Sequence, residues 1–306
     1  MKNDLSNQAR NSWSPSEGGF TLIELLTALG LSSLIMGMII SASLSVRNTF
    51  STDMVRTRIN SNLRSAMDIL AMNVRQTGEN LPSDFPAMIL RNTTGTNGSD
   101  TLVLRRALIP EVLTLCVNAS ASSTGLYISA SGLSNSGCVA ANVAPLYQVY
   151  RNIRLDEGGS MRVYIYNSSA NVGEFLTYSG DSTPSGQYLL STTSTSRAYP
   201  RLTTAIYFIE EFEFTLDSAE QKLILRENQD QNKRKPVAFD ITNFQVTFLT
   251  EDNQRITSLI ESSANDWKDI KEVEISLSGF GRWKNTTMNS TLTGRYFPRN
   301  ILSYEG

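Results

Sequence analysis

The sequence predicts an α+β protein in which one long N-terminal helix packs against a head of antiparallel β-sheet. Two observations predict the helix: residues 20–46 form an apolar run, and no proline occurs between Pro15 and Pro82 to interrupt helical hydrogen bonding. A third observation predicts the sheet, because after residue 82 apolar residues alternate with polar ones, as in strands with one buried face. The two patterns follow one another along the chain, which is typical of the α+β class.

Composition limits the classes of function that are open to this chain of 306 residues. It contains no histidine, which excludes Ser/His/Asp and Cys/His nucleophilic centres and every metal site that depends on imidazole. No sequence motif indicates acid/base catalysis by carboxylates. No catalytic residue is therefore predicted, and the chain is expected not to be an enzyme. The formal net charge of −2 gives no electrostatic case for binding nucleic acid over the whole surface.

Residues 20–46 are long and apolar enough to cross a membrane. The run contains no Lys, Arg or Pro, and its one charge is Glu24. As a helix it would extend about 40 Å, which exceeds the roughly 30 Å hydrocarbon core of a bilayer. The alternative is a buried core helix of a soluble protein, but such helices rarely stay apolar for this length. We therefore predict that residues 20–46 are the transmembrane half of the N-terminal helix.

The segment before the apolar run is polar. Residues 1–19 are rich in Asn and Ser and end in Pro15-Ser16-Glu17-Gly18-Gly19, a composition typical of a flexible leader. An ordinary secretory signal would place its cleavage site after the apolar segment, not before it. A carboxylate in a bilayer is costly unless it is paired or neutralised. Cleavage between Gly19 and Phe20 would create an α-amino group four residues from Glu24, and this amine could pair with Glu24 of the same chain or of a neighbour.

The octapeptide Gly19-Phe20-Thr21-Leu22-Ile23-Glu24-Leu25-Leu26 resembles the prepilin-peptidase motif of type IV pilins and type II secretion pseudopilins. In these families a membrane peptidase cuts after the glycine and N-methylates the new first residue. The glutamate then aids docking of the incoming subunit onto the N-terminus of its neighbour. The resemblance implies a pilin-like fold, with Gly19 as the scissile glycine, Phe20 as the methylated N-terminus and Glu24 as the assembly carboxylate.

The predicted helix becomes amphipathic in residues 47–81 and is expected to run from about Thr21 to Gln76. Gly78 is its expected stop, with Pro82 shortly after. In this half the apolar residues recur at the spacing of one buried helical stripe: Leu63, Met67, Leu70 and Val74. We therefore predict that this half of the helix packs on the sheet of the head.

Residues 60–81 resemble the end of the long helix in PilW-type minor pilins and in the larger minor pseudopilin called the J subunit. The shared feature is an arginine-flanked pattern in NSNLRSAMDILAMNVRQTGENL. Residues 220–302 resemble the closing sheet of the same families more weakly, through a strand pair, a Trp-containing turn and a final strand. The middle of the chain, residues 90–200, is longer than expected for the J pseudopilin, which favours the pilus branch.

Residues 82–306 are expected to form a β-rich globular head. Strands are predicted where apolar residues alternate, around Leu102/Leu104, Val163/Ile165, Phe212/Phe214/Leu216, Phe244/Val246/Phe248 and Val273/Ile275/Leu277. Segments rich in Ser, Thr, Gly and Asn are predicted to be surface loops: 92–100, 118–137, 167–187 and 191–196.

The two cysteines, Cys116 and Cys138, are too few and too far apart for a zinc ribbon. In an exported chain such a pair suggests one disulfide, worth about 3 kcal/mol; two reduced, unrelated thiols are the alternative. Three acidic and amide runs could offer oxygen ligands to calcium, which some pseudopilins use, but none has EF-hand spacing: Asp156-Glu157, Glu227-Asn228-Gln229-Asp230 and Glu251-Asp252-Asn253. They are interpreted as solvated turns, so no metal site and no cofactor is predicted.

The sequence is accordingly expected to encode a minor type IV pilin of PilW type that primes pilus assembly or sits in the tip complex. The expected partners are the prepilin peptidase, other minor pilins, the major pilin and the bacterial inner membrane, with the head in the periplasm and no nucleic acid bound. Two alternatives stay open: a J-like minor pseudopilin of a type II secretion system, and a tip adhesin or DNA-uptake subunit whose Ser/Thr-rich middle binds a ligand.

Overall fold

A computed structural model of the protein describes residues 19–82, 85–93, 98–135, 137–260 and 267–300. The chain divides into two compact units, one that ends at Met54 and one that starts at Val55. Helix α1, Leu22–Gln76, is 55 residues long, begins in the first unit and ends in the second. The prediction of one long N-terminal helix is therefore confirmed.

In the first unit, the described residues from Leu22 onward belong to the apolar part of α1. Its side chains are exposed as far as Phe50. An 18-residue window of α1 has a mean hydropathy of 2.0 with none of its residues buried, and α1 is the one helix in the described part of the chain that is long and apolar enough to span a membrane. An apolar surface of this extent that packs on no other described residue requires lipid or other protein around it.

Within the described residues, the second unit holds 15 strands and a second helix, α2, Ala140–Asp156. The strands in chain order are β1 Met88–Arg91, β2 Thr101–Ala107, β3 Leu113–Thr114, β4 Gly125–Tyr127, β5 Met161–Asn167, β6 Val172–Ser182, β7 Leu189–Thr192, β8 Thr204–Tyr207, β9 Ile209–Asp217, β10 Lys222–Glu227, β11 Arg234–Phe239, β12 Ile241–Thr250, β13 Arg255–Ile256, β14 Ile270–Trp283 and β15 Thr286–Tyr296.

The strands form three sheets in which neighbouring strands are antiparallel. A five-stranded sheet has the order β1-β2-β9-β10-β11, a four-stranded sheet the order β13-β12-β14-β15, and a six-stranded sheet the order β3-β8-β5-β6-β7-β4. Each set of alternating apolar residues that predicted a strand lies within one: in β2, β5, β9, β12 and β14. The predicted α+β class, with a long helix and an antiparallel head, is therefore confirmed.

A first core joins the last part of α1 to the five-stranded and four-stranded sheets. The predicted stripe of α1 lies in this core, since Leu63, Met67, Leu70 and Val74 are each at most 3% exposed. The helix approaches β14 so closely that a Cβ atom on Gly281 would lie 2.6 Å from Cγ1 of Val55. Glycine is therefore required at this point of contact between helix and sheet.

A second core packs α2 on the six-stranded sheet. Val143, Tyr147 and Tyr150 are the buried apolar residues of α2, and the hydroxyl of Tyr150 donates to the carbonyl oxygen of Ile206 at 2.7 Å. Helix α2 was not predicted from the sequence. Its buried apolar residues do follow helical spacing. However, Pro145 lies inside the helix, and Val139 at the N-cap provides no side-chain hydrogen bond. The usual signals for the start of a helix are therefore missing.

Three of the predicted surface loops contain strands. Strand β6 occupies much of the predicted loop 167–187, so that prediction was wrong. The other two were wrong only in part: β4 takes three residues of 118–137 and the end of β7 two residues of 191–196. Ser, Thr and Gly suggested loops, but β6 has strand partners on both sides, and such pairing overrides weak local preference. Part of the predicted loop 92–100, residues 94–97, lies outside the described residues.

Helix α1 ends where the sequence predicted, at Gln76, and the expected stop signal Gly78 follows two residues later. This glycine has a φ of +82°, a left-handed conformation that is common just after a helix. A Cβ atom at Gly78 would lie 3.0 Å from the indole ring of Trp267. The side-chain amide of Asn300 donates to the carbonyl oxygens of Gln76 and Thr77, both at 3.3 Å. The helix end is thereby held by the Trp-containing 3₁₀ turn and by the last described residue.

Candidate processing and assembly site

The start of α1 is held by a reciprocal pair of hydrogen bonds between Thr21 and Glu24. The Glu24 carboxylate oxygen Oε2 accepts from the backbone N–H and from the hydroxyl of Thr21, each at 2.9 Å. The backbone N–H of Glu24 in turn donates to Oγ1 of Thr21 at 3.3 Å. This arrangement is a capping box, which satisfies N–H groups that the first turn of a helix leaves without partners.

The predicted scissile bond lies just outside this cap. Gly19 and Phe20 precede the helix and are exposed, with Phe20 89% exposed. Among the described residues, apart from its chain neighbour, no atom lies within 4 Å of the position that a Cβ on Gly19 would take. A peptide bond in an exposed, non-helical segment can enter a peptidase without unfolding a helix. Within the described residues the Gly19–Phe20 bond is therefore uncovered, and helical structure starts two residues later.

The cap leaves the second carboxylate oxygen of Glu24 available. In the described part of the chain both hydrogen bonds to the carboxylate go to Oε2. A positively charged amine could approach Oε1 without displacing Thr21, because the two oxygens of a carboxylate offer about four acceptor positions. The N-terminal end of the helix dipole also favours a negative charge in this first turn. The site can therefore combine helix capping with an ion pair.

The structure joins Cys116 and Cys138 in a disulfide with Cα atoms 5.6 Å apart, a spacing common for disulfides. Both residues are fully buried. Backbone hydrogen bonds support both ends, since the Cys116 N–H donates to the Tyr127 carbonyl at 2.8 Å and the Ala130 N–H donates to the Cys138 carbonyl at 3.1 Å. The bond lies beside the second core and links the segment after β3 to the turn that precedes α2.

Two of the three acidic runs contribute side chains to one groove. Glu157, Glu227 and Asp230 line one groove of about 390 Å³ together with Lys233 and Arg162, so bases share it with the acids. Glu227 is paired with Lys235 at 2.7 Å. No group of three or more His, Cys, Asp or Glu side chains in the described ranges is arranged to hold a metal ion.

The sequence did not predict a partly buried cluster of charged residues centred on Asp181. Asp181 of β6 is paired with Arg154 of α2, with Arg151 at 3.2 Å, and accepts hydrogen bonds from Tyr147 and Tyr178 at 3.1 Å and 3.2 Å. Burial alone would raise the pKa of Asp181, but the hydrogen bonds from Arg154 and Tyr147 outweigh it and hold the pKa below its ordinary value.

The same cluster keeps its tyrosine donors protonated. Burial, followed by the hydrogen bond to the Asp181 carboxylate, raises the pKa of Tyr147 to about 12. The cluster connects α2 to β6 with its donors and acceptor matched to one another, so its function is to fix the helix on the six-stranded sheet. No sequence pattern marks it, because its members lie on α2 and on the Ser/Thr/Gly-rich strand β6 that composition suggested to be a loop.

Comparison with known proteins finds one family match, at the N-terminal end of the chain. A family described as "Prokaryotic N-terminal methylation motif" matches residues 15–40. This range contains Gly19, Phe20 and Glu24. No curated protein and no solved structure matches the chain.

The motif, the apolar helix and the antiparallel head together define the class of protein. Residues 15–40 carry a type IV pilin-like prepilin signal, and the architecture is the α+β, pilin-like one. The match supports a protein of the type IV pilin or pseudopilin type. The motif implies processing by a prepilin peptidase and assembly with other pilins. The apolar helix and motif fit anchoring in the inner membrane with a soluble head.

Proposed function

We propose that the chain is the precursor of a minor type IV pilin of PilW type that primes pilus assembly or sits in the tip complex. Residues 1–19 are the leader that the prepilin peptidase removes, and Phe20 becomes the N-methylated first residue. Residues 20–46 span the inner membrane, residues 47–81 continue the helix, and residues 82–306 form the head in the periplasm. Other minor pilins and the major pilin are its partners.

The observation that carries this proposal is the position of Glu24 in the first turn of an exposed apolar helix, inside the methylation motif. Before cleavage the nitrogen of Phe20 is an uncharged amide, and among the described residues the carboxylate accepts hydrogen bonds from its cap partner Thr21. After cleavage this nitrogen is a cationic amine. An intramembrane ion pair offsets the several kcal/mol that a lone carboxylate costs in lipid. Pairing of Glu24 with the Phe20 amine of an adjacent subunit would therefore favour assembled over isolated subunits.

The size of the head supports a position at the filament tip. The second unit builds three sheets and two hydrophobic cores within the described residues. A bulky head is easier to accommodate at a tip, where no subunit packs above it, than at every position of a repeating shaft. The chain itself catalyses no reaction in this proposal.

The function is tested by deleting the gene and by locating an epitope-tagged chain on sheared filaments. We expect piliation to fall, and the tagged chain to occur at filament ends in far smaller amounts than the major subunit. Tag along the whole shaft at an abundance like that of the major subunit would contradict a minor, tip-located subunit. Loss of protein secretion with normal piliation would assign the chain to a type II secretion pseudopilus instead.

A further inference from the structure

The three sheets end in six edge strands, and five of these edges are protected against pairing with another chain. Strands β3, β4 and β13 have at most three residues each. The outer side of β1 is covered, since Leu90 and Leu259 exchange two backbone hydrogen bonds. Strand β11 carries Arg234, Lys235 and Pro236 and a register shift beside them. Short length, coverage, charge, proline and bulges are the usual means of blocking an edge.

The sixth edge, β15, has none of these protections. It is 11 residues long and pairs with β14 from Thr286 to Tyr296 without a register shift. It contains no proline, and its one charged residue, Arg295, is already paired with Glu274 at 2.8 Å. Among the described residues nothing pairs with its outer side. A long, regular edge whose one charge is already paired presents a row of backbone donors and acceptors to a further strand.

The side chains of β15 indicate what an added strand would cover. Its inward row of Met288, Leu292 and Tyr296 packs against the first core but is only partly buried. Its outward row consists of exposed polar residues such as Thr291 and Thr293. An additional strand with alternating apolar residues would extend the sheet and bury the inward row more completely.

Strand β15 also lies beside the part of α1 that belongs to the second unit. Oγ of Ser290 is 2.8 Å from Oδ1 of Asn60, and the guanidinium of Arg75 lies over the ring of Tyr296 at 6.0 Å. The contact partners follow in the same order along both elements, Asn60 before Arg75 in α1 and Ser290 before Tyr296 in β15. Strand β15 and this part of α1 therefore run in the same direction. The open edge therefore belongs to a strand that contacts α1, the helix that enters the filament under the proposed function.

We propose that the outer edge of β15 binds an extended segment of a different subunit of the same filament by β-strand addition; this inference rests on the proposed function. The added segment is an amphipathic strand whose apolar residues lie beside Met288 and Leu292. A second copy of this chain is not the occupant, because two-fold pairing of two β15 edges would set their α1 helices in opposite directions. Subunits that enter one filament from one membrane have the same orientation.

Amide hydrogen exchange tests the proposal directly. The full processed chain is compared as a detergent-solubilised monomer and within purified assemblies that contain it. In an antiparallel ladder about half of the amides of an edge strand point outward, and these should exchange fast in the monomer. In the assembly we expect exchange of residues 286–296 to slow by at least about tenfold, with no change in the protected edge β11. Unchanged exchange of β15 in an assembled chain would overturn the inference.

Two matched variants and a cross-link identify the occupant. Thr291→Lys places a charge on the open edge, and Thr242→Lys places the same charge at an exposed position of the inner strand β12; both threonines lie beside Ser278. We expect Thr291→Lys to lower incorporation about tenfold, as expected for a charge that blocks an edge, with an unchanged melting temperature, and Thr242→Lys to leave incorporation unchanged. A photo-cross-linker at position 291 should join an extended segment of another pilin.

Three other results would overturn the proposal that β15 binds a strand of a different subunit. A cross-link from position 291 to a second copy of this chain, or to its own residues 301–306, would overturn the proposal, as would equal incorporation of the two Lys variants. Failure of the proposed function is recognised separately, because the leader would then be retained and the chain would be absent from filaments.

Discussion

Thr21 and Glu24 cap each other at the start of α1, with the Glu24 carboxylate accepting two hydrogen bonds of 2.9 Å from Thr21. Glu24 therefore has two roles that substitution can separate. As a cap it needs an oxygen acceptor, which glutamine also provides. As a partner for a charged amine it needs its negative charge, which glutamine lacks.

Glu24→Gln is expected to be processed normally but to enter filaments at least about tenfold less, because it keeps the cap and removes the ion pair. Thr21→Ala removes the hydroxyl of the cap, at a cost of about 1 kcal/mol, but keeps the charge, so incorporation should change much less. Quantitative blots of sheared filaments against membrane fractions measure both. Equal losses in the two variants would show that Glu24 acts through the cap.

The disulfide is expected to stabilise the second core. Cys116→Ala/Cys138→Ala should lower the free energy of unfolding by about 3 kcal/mol, the value for a loop of about twenty residues. Chemical denaturation of the full chain in detergent, with and without reductant, measures this. Reductant should destabilise the native chain and leave the double variant unaffected. A native chain that is insensitive to reductant in the unfolding transition, and that reacts with thiol reagents when unfolded, would indicate two free thiols.

The lowered pKa of Asp181 predicts a loss of stability in acid. A carboxyl group whose pKa is lower in the folded state stabilises the fold fully above its unfolded pKa of about 3.9. This contribution is lost as the pH falls through the lower folded pKa. Thermal unfolding of the native chain should therefore shift to lower temperature below about pH 4. Asp181→Asn should weaken this pH dependence.

Asp181→Asn should also destabilise the chain at pH 7 by about 3 kcal/mol, because it leaves the largely buried Arg154 without its counter-ion. The control is Glu220→Gln, which removes an exposed pair with Lys222 at 2.6 Å and should cost less than about 1 kcal/mol. A similar small effect of both substitutions would contradict a structural role for the Asp181 cluster.

Substitution of Gly78 tests whether its contact with Trp267 stabilises the end of α1. Gly78→Ala forces a positive φ of 82° on alanine and brings its Cβ to 3.0 Å from Trp267, so it should cost about 2–3 kcal/mol. Gly132 has a similar φ of 78°, but among the described residues, apart from its chain neighbours, no atom lies within 4 Å of its Cβ position. Gly132→Ala should therefore cost only about 1 kcal/mol. Equal unfolding midpoints for the two variants would show that contact with Trp267 is unimportant.

The sequence predicts the elements whose periodicity is regular. The stripe of α1 from Leu63 to Val74 and the alternating residues of β12 and β14 are long, apolar and free of interruption, so their buried faces could be identified before the structure. The stop at Gly78 was visible for the same reason, since a glycine and then a proline follow the stripe.

Elements that depend on tertiary partners could not be predicted in the same way. Helix α2 has a stripe of Val143, Tyr147, Tyr150 and Arg154 at helical spacing, but Pro145 and a buried arginine conceal it. Strand β6 is rich in Ser, Thr and Gly and is a strand because β5 and β7 pair with it. At the site, the Thr21-Glu24 cap could have been found, because Thr-x-x-Glu before an apolar run is a capping-box signature.

The most direct test of the central claim is intact and N-terminal mass spectrometry of the membrane-purified chain, from cells with and without the prepilin peptidase. A chain that starts at Phe20 and carries one added methyl group only when the peptidase is present is the predicted result. A chain that keeps residues 1–19 in both strains would contradict the precursor account and leave a membrane-anchored protein whose Glu24 needs another explanation.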